Sequence, residues 1–340
     1  RSTSIDLYDY KTLSKVKTIA SSKTMDAIPY FSNYIFSEDE RKVILETNTE
    51  TIYRHSVLGH YYVYDVNSES LEMISEDKIQ EPTFSPDGTK VAYGHNNNVF
   101  IKDLLSGITK QITFDGEKNK IINGITDWVY EEEFAFVRAF EWNASSDTIA
   151  FIRFDETQVP EFSMDIYGTD LYQTQEVFKY PKAGEKNAIV SLHFYDLNSE
   201  NTSTVSLSKK YQDFYIPRIK WTNDPNILSA QFLNRHQNTL DLWMINPRSN
   251  QSNLVLSEHD EAYVDVTDNL TFLQDNSFIW TSEKDGFNHI YHYSKEGKLI
   301  TQITKGDWEV TNYYGYNESA HSIYYQSVEN GSTNRDVYSI

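Results

Sequence analysis

Short runs that alternate apolar and polar residues, separated by turns rich in Asn, Asp, Gly and Ser, recur along most of this chain. A period of two marks half-buried strands rather than helices. The clearest unit is Pro82-Thr83-Phe84-Ser85-Pro86-Asp87-Gly88-Thr89-Lys90-Val91-Ala92-Tyr93, an aromatic strand end, a Pro-Asp-Gly turn and an alternating strand. That turn chemistry predicts a hairpin. A second turn follows at Asn96-Asn97-Asn98, then the strand Val99–Leu104, the turn Leu105-Ser106-Gly107 and the strand Ile108–Thr113. Together they predict one four-stranded antiparallel sheet the size of a propeller blade.

The same grammar repeats. Anchors equivalent to Phe84 stand at Phe36, Trp142, Trp221, Phe272 and Tyr316, each leading through a turn into another apolar strand. Successive anchors lie 44 to 79 positions apart. Propeller blades repeat every ~45–50 residues, with insertions, and leucine-rich and ankyrin periods are shorter. Six anchors predict at least six blades. The expected fold is therefore all-β, a β-propeller of four-stranded antiparallel blades, with residues 1–340 forming one domain. The widest interval contains Glu176–Leu197, broken at Tyr180-Pro181-Lys182-Ala183-Gly184. It reads either as a long surface hairpin or as an arm that contacts a partner.

Composition narrows the function. An aromatic fraction of 14%, with 25 Tyr and 18 Phe, suits pleated sheets. A formal net charge of -20 argues against nucleic acid and against anionic membrane surfaces as partners, and favours cationic ligands. With no cysteine, disulfides, thiolate metal sites and a cysteine nucleophile are excluded. No Gly-x-Ser-x-Gly elbow, His-Glu-x-x-His, Walker A loop or Gly-x-Gly-x-x-Gly occurs. His289 and His292 are three apart on a predicted strand, hence on opposite faces and a poor metal pair. Neither a cofactor nor a metal is expected, and the residues by themselves describe a protein that binds rather than catalyses.

The most informative segment is Gly124-Ile125-Thr126-Asp127-Trp128-Val129-Tyr130-Glu131-Glu132-Glu133-Phe134. Asp127 is a good N-cap, so a helix of one or two turns is predicted to interrupt the strands. Three Glu in its first turns either match the helix dipole as a solvated face, or form a cation site beside the aromatic residues. A primary ammonium carries three N–H donors, which two adjacent carboxylates can satisfy. Such a clamp selects a free peptide N-terminus. Calcium fits less well, because the spaced oxygen ligands of a calcium loop are missing. Arg54, in Arg54-His55-Ser56, is either a surface ion-pair partner or a guanidinium that holds a peptide carbonyl.

Taken with Arg54-His55-Ser56, Tyr180-Pro181-Lys182-Ala183-Gly184 and Thr304-Lys305-Gly306-Asp307-Trp308-Glu309-Val310, the segment Asp127–Phe134 resembles the N-terminal β-propeller of dipeptidyl peptidase IV. That resemblance implies an eight-bladed propeller, incomplete at the ends here, followed by an α/β-hydrolase domain that carries the catalytic Ser, Asp and His. This chain then holds no catalytic residue. The resemblance implies that Glu132 and Glu133 bind the substrate α-ammonium, that Glu131 is structural, and that Arg54 holds a backbone carbonyl. Tyr263 is the candidate for an aromatic side wall. It further implies release of N-terminal dipeptides after Pro or Ala, a homodimer whose contact arm lies in the region Tyr180–Leu197, and an exported bacterial protein, periplasmic or at the cell surface. The alternatives are a non-catalytic propeller for protein interaction and the propeller of a related tripeptidyl or endo-acting prolyl peptidase.

Overall fold

Every aromatic anchor closes, or nearly closes, the first strand of its own antiparallel sheet. This holds in the computed structural model, which describes residues 1–208 and 210–340. Two compact units are distinguished, Arg1–Thr204 and Val205–Ile340.

In the first unit, one blade runs as a meander through Asn33–Phe36, Lys42–Thr51, Val57–Asp65 and Leu71–Met73. The next is Gln80–Phe84, Lys90–His95, Asn98–Asp103 and Thr109–Gln111. Its turns are those the sequence specifies. Asn96 and Asn97 both take positive φ (47° and 60°), the backbone of a tight hairpin turn that Asn tolerates. A two-stranded hairpin, Ser4–Tyr8 with Lys15–Ser21, precedes these blades.

In the third blade Thr148–Asp155 pairs along its full length with Ile189–Asp196, which pairs with Asn201–Thr204. The opposite edge of Thr148–Asp155 is shared by two short strands, Ile121–Asn123 and Phe140–Trp142. The first strand of this sheet is thus cut in two, and the residues between its halves leave the sheet.

The second unit contains the blade Phe214–Trp221, Leu228–Asn234, Thr239–Asn246 and Gln251–His259. It also contains Thr271–Phe272, Phe278–Ser282, His289–Tyr293 and Leu299–Gln302, and a three-stranded sheet of Val310–Asn317, Ser322–Ser327 and Asp336–Ser339. The expected fold class is what is found among the described residues: sheets of antiparallel strands, four of the eight with four strands each, and one short α-helix.

Packing between neighbouring blades explains why central strands are apolar on both faces. Ile44, Tyr61 and Val63 of the first blade meet Phe84, Val91 and Tyr93 of the second. Ala92, Val99 and Ile101 meet Phe140, Ile149 and Phe151 of the third. Each Val, Ile or Phe side chain so removed from water contributes about 1.5–3 kcal/mol.

One expectation needs correcting. Glu176–Leu197 is not a single insertion, because Ile189–Asp196 is a central blade strand with Val190, Leu192 and Phe194 buried. The projecting hairpin lies upstream, Glu161–Ile166 paired with Thr174–Lys179. Tyr180–Gly184 is the joint between the two sheets, and period-two patterning on both sides of a joint cannot say which strand joins which sheet.

Candidate functional site

The helix Trp128–Phe134 lies where the first strand of the third blade is interrupted. The excursion closes on itself. The Ala139 N–H donates to Gly124 O at 2.9 Å, and the Thr126 N–H donates to Val137 O at 3.0 Å. Gly124 turns the chain out of the sheet at φ +70°, and a Cβ there would lie 2.4 Å from Val99 Cγ2, so only glycine fits. Asp127 caps the helix as expected, its Oδ1 accepting the Tyr130 N–H at 3.0 Å. Tyr130 and Phe134 are buried and meet edge to face at 5.1 Å, with Tyr130 also against Phe154 at 4.8 Å. These rings fix the helix face that points into the blade, and the remaining carboxylates are left facing outward.

The three glutamates then diverge. Glu131 is 1% exposed, and its Oε1 accepts the His55 and Ser56 N–H groups at 2.5 and 2.8 Å. It pins the turn between Lys42–Thr51 and Val57–Asp65 to the helix. Glu132 receives the Arg54 Nε–H on both oxygens, at 2.9 and 3.2 Å. Its side chain is 23% exposed against 69% for Arg54. The terminal guanidinium nitrogens of Arg54 take no partner among the described residues. Glu133 is exposed.

Only Glu131 falls in the first helical turn. Glu132 and Glu133 lie in the C-terminal half, where the macrodipole disfavours an anion. The dipole-matched reading therefore covers one glutamate of the three.

The hairpin Glu161–Lys179 builds the adjoining wall. Trp128 packs on Tyr180 with centroids 4.3 Å apart, and Tyr53 packs on Phe178 at 5.7 Å. A cavity of about 760 Å³ lies between them, lined by Tyr53, Arg54, Trp128, Glu132, Phe162 and Tyr180 among others. Acid surrounds it. Burial pushes Asp127 up to about 6 and Glu156 up to about 7. Burial raises the Tyr53 phenol too, followed by the charges of Glu156, Glu176, Asp127 and Glu131.

The structure thus brings Arg54, Glu131 and Glu132 together, with Glu133 beside them. Tyr263 belongs to the second unit, half exposed in the irregular stretch after Gln251–His259. His289 is a satisfied core residue, its ring nitrogens 3.0 Å from Thr304 Oγ1 and from Gly306 O. Sequence reasoning missed two features. Backbone amides have no sequence signature, so the link from Glu131 to His55 and Ser56 was invisible. The aromatic wall did leave a trace: Phe178 and Tyr180 are two apart, the spacing of one face where a strand runs out.

Residues 37–340 match the family described as "Dipeptidyl peptidase IV (DPP IV) N-terminal region". Dipeptidyl peptidase 4 of Felis catus is 32% identical over 85% of this chain and 41% of its own length. Prolyl endopeptidase FAP of Homo sapiens is 30% identical over 96% of this chain and 45% of its own. The crystal structure of Porphyromonas gingivalis dipeptidyl peptidase 4 superposes with a TM-score of 0.94 and 40% identity, over 99% of this chain and 49% of that one. The chain spans less than half the length of each of these relatives. With the matched region, the blades and the helix all in agreement, this chain belongs to the dipeptidyl peptidase IV N-terminal family.

Proposed function

We propose that this chain is the substrate-anchoring propeller domain of a dipeptidyl peptidase IV-like serine exopeptidase that releases N-terminal dipeptides after Pro or Ala. Glu132 and Glu133 bind the peptide α-ammonium, and Arg54 holds a backbone carbonyl. The observation that carries the reading is Glu132 itself. It stands outward at the unfavourable end of the helix, held by Arg54 through Nε alone, so guanidinium donors remain for a carbonyl beside a carboxylate that attracts an ammonium. Peptides with a free N-terminus are the partners, and bond cleavage falls to a C-terminal α/β-hydrolase domain by an acyl-enzyme route of the Ser-His-Asp type.

The test compares one Ala-Pro-initiated peptide with a free and with an acetylated N-terminus, incubated with the full-length protein. Dipeptide release from the free peptide alone supports the reading. Equal cleavage of both, the behaviour that an endopeptidase would give, overturns it.

A homodimer is the second part of the proposal, and the Glu161–Lys179 hairpin supports it. Tyr167, Leu171 and Tyr172 at its tip are each at least 79% exposed, an apolar patch that a second copy would cover. Sedimentation of Leu171→Asp against the parent protein checks it, since an unchanged dimer would remove the arm from the contact. A location in the periplasm or at the cell surface completes the proposal, and fractionation of the source cells tests it.

A further inference from the structure

The root of the hairpin Glu161–Lys179 touches both halves of the candidate anchor. Phe178, on its returning strand, packs on Tyr53, the residue before Arg54. Tyr180, just beyond that strand, packs on Trp128, the first residue of the helix that carries Glu132. Phe162, on the outgoing strand, closes the group, 6.1 Å from Phe178 and 5.3 Å from Tyr180. The two legs of the root are tied to each other. The Tyr180 N–H donates to Pro160 O at 3.0 Å, and Lys179 Nζ donates to Val159 O at 2.8 Å.

Magnitudes decide what sets the spacing of the anchor. In the Arg54–Glu132 pair the arginine is exposed and the glutamate half-buried, and such rim pairs contribute about 0.2–1 kcal/mol. Each aromatic contact contributes about 0.5–1.5 kcal/mol beyond its burial. Glu131 ties His55 and Ser56 to the helix, but Arg54 lies one step outside that tie, on the rim of the cavity. A cavity of about 760 Å³ leaves room for the Tyr53–Arg54 segment and Trp128 to shift unless the rings hold them. The rings form a wedge between the two segments.

We propose that Phe178 and Tyr180 are positioning residues for substrate anchoring, setting the separation of Arg54 and Glu132 from the root of the projecting hairpin. This inference rests on the reading of Glu132 and Arg54 as the peptide anchor. Neither ring needs to touch the peptide. Because the anchor holds ground state and transition state alike, a looser wedge acts on KM more than on kcat.

The experiment measures kcat and KM of the full-length protein on glycyl-prolyl-p-nitroanilide for Tyr180→Ala, Tyr180→Leu, Tyr180→Phe, Arg54→Ala and Glu132→Gln, with thermal unfolding in parallel. Tyr180→Ala should raise KM by about three- to tenfold, in line with the loss of one or two ring contacts. Its kcat should fall less than KM rises. Tyr180→Phe should restore the parent KM, since the ring and not the hydroxyl makes the contact. In an Arg54→Ala background, Tyr180→Ala should add less than it does alone. If Glu132→Gln raises KM while Tyr180→Ala and Tyr180→Leu both leave it unchanged, the positioning role is wrong and the anchor stands. If Glu132→Gln itself leaves KM unchanged, the anchor reading fails and takes this inference with it. A fall in kcat and stability together, without the KM split, marks a merely structural ring and overturns the proposal.

Discussion

Ser56 and Glu131 lie 75 positions apart, and the Ser56 N–H donates to Glu131 Oε1 at 2.8 Å. The same oxygen takes the His55 N–H. One buried carboxylate thereby fastens the turn that presents Arg54 to the helix that presents Glu132. The acidic triplet divides its labour by orientation: the first side chain enters the protein, and the next meets Arg54 at the surface.

Glu131→Ala should lower stability by about 2–4 kcal/mol, because it strips two N–H groups of their acceptor and leaves the Ser56 amide buried. Glu131→Gln keeps an oxygen in place and should cost about half as much or less. Urea denaturation of the two variants checks this, and equal losses would show that an acceptor oxygen alone does not make the fastener.

Arg54→Ala should behave in the opposite way. Its own side chain is mostly exposed in the pair with Glu132, so stability should change by less than about 1 kcal/mol. Anchoring should suffer far more, with KM for a free-amine dipeptide substrate rising about tenfold or more, as expected for loss of a charged hydrogen bond. A variant with parental KM would return Arg54 to the role of a surface ion-pair partner.

Glu156 should pull stability down as pH rises from about 4.5 to about 7. Burial, reinforced by the charge of Asp127, raises its carboxyl from 4.5 to about 7. A raised carboxyl binds its proton more tightly in the folded state. Its contribution is full below about pH 4.5 and is lost as pH passes through about 7. Glu156→Gln cannot ionise, so its stability curve between pH 5 and 8 should be flatter than the parent's by about 2–3 kcal/mol. Parallel curves for the two proteins would sink this assignment.

Gly124→Ala should destabilise by about 1–3 kcal/mol, since it combines positive φ with a Cβ 2.4 Å from Val99 Cγ2. Because Gly124 begins the excursion that holds the helix, the loss should also appear as faster amide exchange at Tyr130 and Glu131. A stability change below ~0.5 kcal/mol, the range of ordinary surface substitutions, would count against the strain argument.

The sequence by itself determined the strands, the turns and the repeat. Period-two alternation and Asn, Asp and Gly turns act locally, and each anchor from Phe36 to Tyr316 ends or nearly ends a first strand where the pattern places it. It also determined the helix start, because the bond from Tyr130 to the Asp127 cap spans only three positions. Tertiary structure decided the rest. It alone assigned Ile189–Asp196 to the third blade and Glu161–Lys179 to the projecting hairpin, since strand partners are chosen by long-range packing and registry. It alone separated Glu131 from Glu132, two identical neighbours whose difference is one step of helical rotation and a pair of amides 75 and 76 positions away. The physical reason is the same in both cases: local patterns fix which backbone forms, and only the folded neighbourhood fixes what each side chain meets.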